Sequence, residues 1–423
     1  MSDPAAEHQR EDTHGALGLD APLDWSQARY VAAQAAEPLA ARTARLDEAL
    51  GSTLADNLVT LLDDPPYDIA AHDGYALCGE GPWRIIDLAP EVALPSHFAT
   101  PVIAGEPLPP HSDSVIDRDD CVVGTSEVGD TIITARDPLT RLPENFARPD
   151  FGYGIIRLAD KGRAGMPVIY SGTTVTPAVI ALAASLGHDR ISILPPPSIG
   201  TLVIGEHLLE HGPPRYGRPR DSAGPAITGY LGALGARAFP VKRASAREEA
   251  FVAELTDSTA DVIVTVGATE PNAQSLLRRT LRDLGAHWLI DGITIDHGAE
   301  TLLVRLPDGR LLLGLPGEPI AALVGAALIA PVIVERYRGI PADAAVRASL
   351  ENGAPHVAIP QIHDESDVTR ALPITRASTA ASFEVLAPAH SLPSWARADA
   401  MALVEPDGCA AGVSTPVITF AGA

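Results

Sequence analysis

Three loops in the second half of the chain each carry a glycine within two residues of the end of an apolar, strand-like run. The loops are Gly205-Glu206-His207, Gly267-Ala268-Thr269-Glu270 and Pro316-Gly317-Glu318-Pro319. A glycine in this position lets backbone amides approach an anion. Each loop alone is an ordinary turn, so it is the occurrence of three in one region that predicts a ligand pocket built from Gly205, Gly267, Thr269, Pro316 and Gly317.

Carboxylates near the first loop are the next candidates for chemistry. Glu206 lies in that loop and Asp221 follows it, and either could ligate a hard cation such as Mg²⁺. The alternative is that both are solvated surface groups. Asp73 lies in His72-Asp73-Gly74, where Asp-Gly is itself a turn signal.

An alternation of strand-like and helix-like segments must position these residues. The predicted strands are Ile199–Ile204, Arg237–Val241, Val262–Val266, Thr301–Leu306 and Leu311–Leu315. The predicted helices are Ala223–Leu234, Arg247–Leu255, Ala273–Leu284 and Ile320–Val334. This pattern predicts a doubly wound α/β domain with a parallel sheet, in which ligands bind at the carboxyl ends of the strands.

The remaining segments have different patterns of apolar and turn-forming residues. Leu46, Ala49, Leu50 and Leu54 recur at helical spacing, so the chain from Leu23 to about Leu62 is predicted to be helical. Short runs between Pro and Gly turns, including Ser114–Asp117 and Thr131–Thr134, predict a small β-rich domain. Thr176-Pro177 predicts a helix start and Gly187 its end. Beyond Ile340 the chain is β-like, with strands predicted at Ala400–Val404 and Val413–Phe420.

Composition limits the classes of function. The formal net charge of −23 argues against nucleic acid and anionic membranes as partners, because such binding needs a basic surface. Three separated cysteines predict neither a disulfide framework nor a structural zinc site. The polar segment 1–22 is expected to be a disordered leader without a signal peptide. Ile320–Val334 is too short for a membrane span and is expected to be a buried helix, so we expect a cytoplasmic protein.

A series of motifs resembles the MoeA/gephyrin E-domain family, the molybdopterin molybdenumtransferases. The segment Pro65–Ala76 resembles that family's "PPFDNSAMDGYA" signature. Collinear matches follow at Val102–Pro109 ("TGAPLP"), Gly172–Gly187, Gly205–Leu208 ("TGDEL"), Asp221–Ala223 ("DSN") and Leu315–Pro319 ("LPGNP"). The order of these matches from residue 23 onward makes the resemblance far more specific than any single motif.

The resemblance implies a fold and an activity. It implies a homodimer whose domains are a helical domain I (23–66 and 152–196), an inserted β-rich domain II (67–151), an α/β molybdopterin-binding domain III (197–337) and a C-terminal β-barrel domain IV (338–423). The implied reaction is insertion of molybdate into adenylylated molybdopterin with Mg²⁺. Carried onto this chain, Asp73, Glu206 and Asp221 would be catalytic, and Glu206 and Asp221 would also bind the metal.

Departures from the family motifs concentrate in the predicted pocket. The second glycine of "SGGVSxGxxD" is Ala268 and its acidic position is Ser275. Both lysines of "KPGKP" are missing from Asp296–Glu300, and Asp296 and Glu300 add carboxylates. Because molybdate and phosphates are anions, this change predicts weaker anion binding unless arginines compensate. Candidate compensating residues are Arg218, Arg220, Arg278 and Arg279.

Three functional hypotheses therefore remain. The first is an active molybdenumtransferase with a rearranged or weakened anion site. The second is a catalytically inactive paralogue that binds molybdopterin or the cofactor as a chaperone or assembly protein for a molybdoenzyme. The third is a scaffold without a pterin ligand. The motif order favours the first, and the missing lysines and the missing acidic group at Ser275 favour the second.

Overall fold

The computed structural model describes residues 21–135, 149–245, 247–272, 274–348, 350, 367–376, 383–406 and 415–420. The predicted leader lies almost wholly outside this part of the chain. The protein divides into two compact units. The first unit consists of Met1–Thr43, Gly51–Ala55 and Ser192–Ala423, and the second unit consists of Ala44–Leu50 and Asp56–Ile191.

The helices and strands have the following bounds. The α-helices are α1 Trp25–Ala35, α2 Pro177–Ser185, α3 Ala223–Ala233, α4 Glu248–Asp257, α5 Leu276–Asp283, α6 Pro319–Tyr337, α7 Ala342–Ala345 and α8 Leu392–Trp395, with 3-10 turns at Leu46–Glu48 and Arg118–Asp120. The strands are β1 Arg42–Arg45, β2 Thr53–Leu54, β3 Leu58–Val59, β4 Ile69–Ala70, β5 Gly74–Cys78, β6 Trp83–Ile85, β7 Phe98–Val102, β8 Ser114–Asp117, β9 Cys121–Thr125, β10 Thr131–Ala135, β11 Ile155–Ile156, β12 Pro167–Ile169, β13 Arg190–Leu194, β14 Ser198–Ile204, β15 Arg237–Ala238, β16 Lys242–Ala244, β17 Val262–Val266, β18 His287–Asp291, β19 Leu302–Arg305, β20 Leu311–Leu315, β21 Arg370–Arg376, β22 Phe383–Val385, β23 Ala400–Val404 and β24 Val417–Thr419.

A seven-stranded mixed sheet forms the centre of the first unit. Its order is β15-β14-β17-β20-β19-β18, with β16 also paired to β14. The strands from β15 to β20 are parallel, whereas β19 and β18 run antiparallel. The prediction of a parallel sheet is therefore right at the centre and wrong at this edge. The hairpin between β19 and β20 is short, so its strands must pair antiparallel, and β18 lacks the apolar run that identified its neighbours.

The helix α6 is the core element of this unit. Glu318 caps it by accepting a hydrogen bond from the amide of Ala321 at 2.7 Å, and Pro319 occupies its first turn. By length and composition alone α6 could cross a membrane, but most of it is buried in the hydrophobic core of the unit. The prediction of a buried core helix is confirmed.

Arg29 joins α1 to this core. Its guanidinium is fully buried and donates to the carbonyls of Leu328 (2.6 Å) and Val346 (2.9 Å). Burial lowers the pKa of Arg29 to about 10. These bonds tie α1 to α6 and to the residue that follows α7.

The helix predicted from Leu23 to Leu62 is wrong beyond Ala35. Pro38 disfavours helical geometry in the residue before it, and the chain continues as short strands and a 3-10 turn. Leu46 lies in that turn and Leu54 in β2. Of the residues that indicated a helix, Ala49 and Leu54 are buried and Leu50 is exposed, so they do not share one buried face.

The second unit is β-rich, as predicted. Its largest sheet has the order β8-β5-β7-β6-β10-β9 and contains the predicted strands near Ser114 and Thr131. Gly74 lies in β5 against β8, and a Cβ at this position would come within 2.0 Å of the carbonyl oxygen of Ile116. The predicted helix start at Thr176 and its end near Gly187, whose φ is +89°, are confirmed.

The C-terminal residues that the structure describes form a four-stranded antiparallel sheet of order β22-β21-β23-β24. The strand Ala400–Val404 is confirmed as predicted, and the second predicted strand is limited to Val417–Thr419, its first residues lying outside the described ranges. The β-barrel remains a prediction.

Candidate functional site

The three glycine-bearing loops leave one edge of the α/β sheet. The strands β14, β17 and β20 are adjacent and parallel, and Val203, Val266 and Leu315 are paired across them in register. Because these residues lie at the carboxyl ends of the strands, the loops that follow begin side by side. The loops therefore begin at one sheet edge, as predicted, whereas a single concavity shared by all three remains a prediction, since the cavity beside the first loop is lined by no residue of the other two.

Gly267 lies between the two neighbouring strands. Its amide donates to the carbonyl of Leu315 at 2.8 Å, and its φ is +96°. A Cβ at this position would come within 2.8 Å of the carbonyl oxygen of Ile204. A side chain is therefore excluded both by conformation and by space. The following residue, Ala268, also has a positive φ of +58°, which is strained for a residue that carries a Cβ.

The other residues predicted to bind the ligand differ in exposure. Thr269 is buried, and its hydroxyl donates to Oε2 of Glu300 at 3.3 Å. Pro316 is buried, whereas Gly317 is exposed at the start of the third loop. A Cβ on Gly317 would lie 3.5 Å from the Cα of Gly267, so the second and third loops are in direct contact.

A cavity of about 380 Å³ lies beside the first loop. Its lining residues come from that loop and from the end of β16: Gly205, Glu206, Leu208, Leu209, Glu210, Arg218, Arg243, Ala244 and Ser245. Glu206 is exposed there. The cavity carries two arginines and two glutamates, so it can accept a ligand with both anionic and hydrogen-bonding groups.

Asp221 is buried next to this cavity with both carboxylate oxygens engaged. Oδ1 accepts from the amide of Gly224 at 2.9 Å, at the start of α3, and Oδ2 accepts from Nη2 of Arg243 at 2.7 Å. The Arg243 side chain is 25% exposed and lies 3.4 Å from Glu210. Sequence reasoning missed Arg243, because its strand was predicted to end before Lys242. Its place directly after the predicted strand Arg237–Val241 was the available signal.

The residues that replace family motifs have local partners. Ser275 caps α5 and donates its hydroxyl to the carbonyl of Ala268. Oδ1 of Asp296 accepts from the amides of His297 (2.8 Å) and Ala371 (2.9 Å). Glu300 accepts from Thr269, as described above. These three substitutions therefore fit the local structure of the site without supplying a cation to it.

The four arginines proposed to replace the lysines have different environments. Arg278 is buried, 2.5 Å from Asp291, and its Nε donates to the carbonyl of Thr269 at 2.9 Å. Arg279 lies on the surface, 3.5 Å from Glu248. Arg218 and Arg220 are exposed and bind backbone carbonyls of the first loop region. Only Arg218 of the four lines the cavity beside Glu206.

Asp73 belongs to the second compact unit. It lies in the turn before β5, where its Oδ1 accepts from the amide of Ala104 at 2.9 Å. The side chain is exposed, and the Nδ1 atom of His72 lies 3.2 Å from the Asp73 carbonyl oxygen. The turn expected from Asp-Gly is confirmed, and the carboxylate keeps a second oxygen for chemistry.

The donor set at Glu206 and Asp221 does not fit a resident Mg²⁺ as it is arranged. Within the described ranges there is no group of three or more metal-ligating side chains, and a cation at Asp221 would have to replace Arg243 or the Gly224 amide.

A glycine-lined sheet edge next to a charged cavity defines an α/β small-molecule-binding domain. The chain matches the family model for the MoeA N-terminal region, domains I and II, over residues 23–187, and the model for a probable molybdopterin binding domain over residues 200–335. The chain belongs to the MoeA family.

Curated relatives support this assignment at low identity. The chain is 24% identical over 315 residues to a molybdopterin molybdenumtransferase of Staphylococcus epidermidis, covering 70% of this chain and 71% of the relative. It is 24% identical over 336 residues to the enzyme of the same name from Staphylococcus aureus, covering 75% of this chain and 76% of the relative.

Solved structures support the fold. Two structures of a molybdopterin biosynthesis MoeA protein from Pyrococcus horikoshii match with TM-scores of 0.72 and 0.67, at 18% and 17% identity. Each alignment covers 95% of this chain and 100% of the other. At this identity the likeness concerns the fold alone.

Proposed function

We propose that this protein is a molybdopterin molybdenumtransferase that inserts molybdate into adenylylated molybdopterin during molybdenum cofactor biosynthesis. The observation that carries the proposal is the common sheet edge from which the three loops leave, with Gly267 held between Ile204 and Leu315. The match of both family models to most of the chain supports the same function.

The loops supply ligand binding in this proposal. Backbone amides near Gly205, Gly267 and Gly317 approach the anionic groups of the ligand, and Thr269 and Pro316 shape the pocket. Glu206 and Asp221 act on the reacting groups, with Arg218 and Arg243 as the nearby cations. Asp73 is proposed as the third catalytic carboxylate, contributed by the β-rich domain of a partner subunit in a homodimer.

Mg²⁺ was expected at Glu206 and Asp221, but these residues do not fit it as they are arranged, because Asp221 is already paired with Arg243; we therefore derive no step through the metal. The division into four domains with a C-terminal barrel, the cytoplasmic location and delivery of the cofactor to a molybdoenzyme belong to the same proposal.

A catalytically inactive, cofactor-binding paralogue is the alternative. The observation that favours it is the engagement of Asp221 and Asp296 by neighbouring groups, together with Ser275 in place of a carboxylate. Each lost charge-assisted contact to an anion costs about 1.5–3 kcal/mol, so two lost lysines reduce affinity or rate by roughly a hundredfold or more.

Complementation of a strain that lacks its molybdenumtransferase, combined with cofactor formation in vitro, tests the proposal. We expect rescue and turnover that require elevated molybdate. Glu206→Gln should lower turnover at least tenfold, whereas Glu210→Gln, which lines the same cavity, should stay within about threefold. If no molybdate concentration gives turnover, the protein is instead the catalytically inactive, cofactor-binding paralogue. Full rescue at low molybdate would instead contradict the prediction that the missing lysines weaken anion binding.

A further inference from the structure

The turn that follows the first loop concentrates positive charge in an acidic chain. Residues 211–220 contain Arg215, Arg218 and Arg220 and no carboxylate, although the whole chain has a formal net charge of −23. All ten residues are exposed. The segment 296–300, by contrast, contains two carboxylates and neither lysine nor arginine. The cations available to an anion therefore lie on the turn rather than on the segment that carries lysines in the family motif.

A tight hairpin holds Arg215 directly opposite Arg218. The amide of Arg218 donates to the carbonyl of Arg215 at 2.9 Å, and the amide of Arg215 donates to the carbonyl of Arg218 at 3.3 Å. Tyr216 and Gly217, which lie between them, have φ of +52° and +69°, as a type I′ turn requires. Residues directly opposite in an antiparallel pair have Cβ atoms about 5 Å apart on one face. Both arginine side chains therefore leave the same face of the hairpin.

This pair of arginines has no counter-ion among the residues that the structure describes. The Arg218 side chain donates one hydrogen bond, from Nε to the carbonyl of His207 at 3.0 Å, and neither Arg215 nor Arg218 forms an ion pair there. Like charges directly opposite each other destabilise a hairpin. An anion between the two guanidinium groups would remove this repulsion and accept charge-assisted hydrogen bonds from both.

Arg218 also connects the pair to a cavity. It lines the cavity of about 380 Å³ beside the first loop, which we call the first cavity. The other arginine of that lining, Arg243, is already paired with buried Asp221 at 2.7 Å. Arg218 is therefore the lining cation whose charge no described carboxylate balances.

A second cavity, of about 370 Å³, lies beside the segment that links β18 to β19. Its lining includes Arg278 and Asp291, which form a buried ion pair at 2.5 Å, and also Glu300. Because the charge of Arg278 is balanced and Glu300 adds a negative charge, this cavity disfavours an anion. The two cavities thus differ in the sign of the charge that they offer to a ligand.

We propose that Arg215 and Arg218 form a clamp that binds a tetrahedral oxyanion at the edge of the first cavity. Two groups in the proposed reaction have this chemistry: a phosphate of the adenylylated ligand, and molybdate. The inference rests on the proposed function for the source of the oxyanion. It assigns the binding of that oxyanion to the hairpin and not to the segment 296–300.

Four probes test the clamp on the full-length protein: inorganic phosphate, molybdate, AMP and adenosine. Binding is measured by calorimetry at low ionic strength, since salt screens exposed charges. We expect the three oxyanions to bind, and adenosine, which lacks an oxyanion, to bind at least about tenfold more weakly than AMP. Equal binding of adenosine and AMP, or no binding of any oxyanion, would overturn the inference. Tighter binding of AMP than of molybdate would assign the clamp to the phosphate of the ligand, and the reverse order would assign it to molybdate.

Matched variants test the two arginines. Arg215→Gln and Arg218→Gln should each weaken oxyanion binding at least about fivefold, and the double variant should weaken it more than either. Arg282→Gln removes an exposed arginine from α5 in the same domain and should change binding by less than about twofold. Tyr216→Asn keeps both arginines and suits the same turn, so its affinity should also be retained. If Glu300→Gln strengthened binding while Arg218→Gln left it unchanged, the oxyanion would lie in the second cavity and the inference would be wrong.

Thermal unfolding separates binding from a structural role. Without an oxyanion, Arg215→Gln should not lower Tm, because it removes the repulsion with Arg218. Added phosphate or molybdate should raise the Tm of the wild type more than that of the variant. A lower Tm of Arg215→Gln without any oxyanion, together with an equal rise on addition, would show that the arginine is structural.

The result is separable from the proposed function. Oxyanion binding that depends on the clamp, without molybdate insertion, would keep this inference and exclude the transferase. Molybdate insertion at the wild-type rate by the double variant would keep the transferase and overturn the clamp.

Discussion

Two aspartate–arginine pairs lie in the same α/β domain and differ in how completely the aspartate is bonded. Asp221 pairs with Arg243, and its other oxygen accepts from a backbone amide. Asp291 pairs with Arg278, but no described residue gives it a well-aligned hydrogen bond. The first pair is complete without a ligand. The second pair is more deeply buried and depends on the ion pair alone, so the two aspartates differ in how much of their stabilisation comes from the arginine.

The largest expected effect comes from removing the carboxylate of the buried pair. Asp291→Ala leaves Arg278 buried without a counterion, and we expect a loss of about 3–5 kcal/mol in the free energy of unfolding, measured with urea. Asp221→Ala should cost about half as much, because Arg243 is partly exposed and lies near Glu210.

Replacing both members of the buried pair provides the control. Asp291→Leu combined with Arg278→Met should recover much of the stability lost in Asp291→Ala, because no charge then remains buried. A double variant as unstable as the single one would contradict this explanation.

A smaller effect concerns the strained loop that leads to the Arg278 pair. Ala268 has a φ of +58°, and Thr269, whose carbonyl binds Arg278, follows it. Ala268→Gly should raise the free energy of unfolding by about 1 kcal/mol, because the strain exceeds the entropic cost of glycine. Ala233→Gly, at the end of α3, should lower it instead. Destabilisation by Ala268→Gly would show that the loop is not strained.

The smallest effect concerns Asp399, whose carboxylate accepts hydrogen bonds from uncharged donors. Asp399 accepts from the amide of Arg376 and the hydroxyl of Thr375, and these bonds keep the pKa of Asp399 below its ordinary value. Because the folded state favours the ionised form, this stabilisation is present above the ordinary pKa and is lost as the pH falls through the lowered one. Thermal unfolding of Asp399→Asn should therefore depend less on pH in that acidic range than the wild type does. An unchanged acid dependence would contradict the assignment.

Strong apolar runs gave accurate predictions. Val262–Val266 and Leu311–Leu315 were predicted at their observed bounds, because buried central strands need continuous β-branched or leucine-rich sequence. His287–Asp291 was not predicted, since an edge strand of mixed polarity has no such signal. The helical spacing around Leu46 was misleading because its residues do not form one buried face: Ala49 and Leu54 are buried, whereas Leu50 is 57% exposed.

The candidate site was predictable in part for the same reason. Loops that follow central strands must share an edge, so Gly205, Gly267 and Gly317 could be grouped from sequence. Asp291 and Arg243 could not, because their significance depends on which neighbour each carboxylate oxygen contacts. That information arises only from the three-dimensional packing of residues that are distant in the chain.

The bond from the Ala371 amide to Asp296 connects the C-terminal sheet to the segment beside the second cavity, whose lining also includes Val368 and Glu300. The Asp296 amide also donates to the carbonyl of Thr369 at 2.9 Å, so local opening of β21 must break both bonds. Hydrogen exchange at amides of β21 and of its neighbour β23 should therefore be faster in Asp296→Ala than in the wild type. One carboxylate in the α/β domain thus sets how readily the first strand of the C-terminal sheet opens.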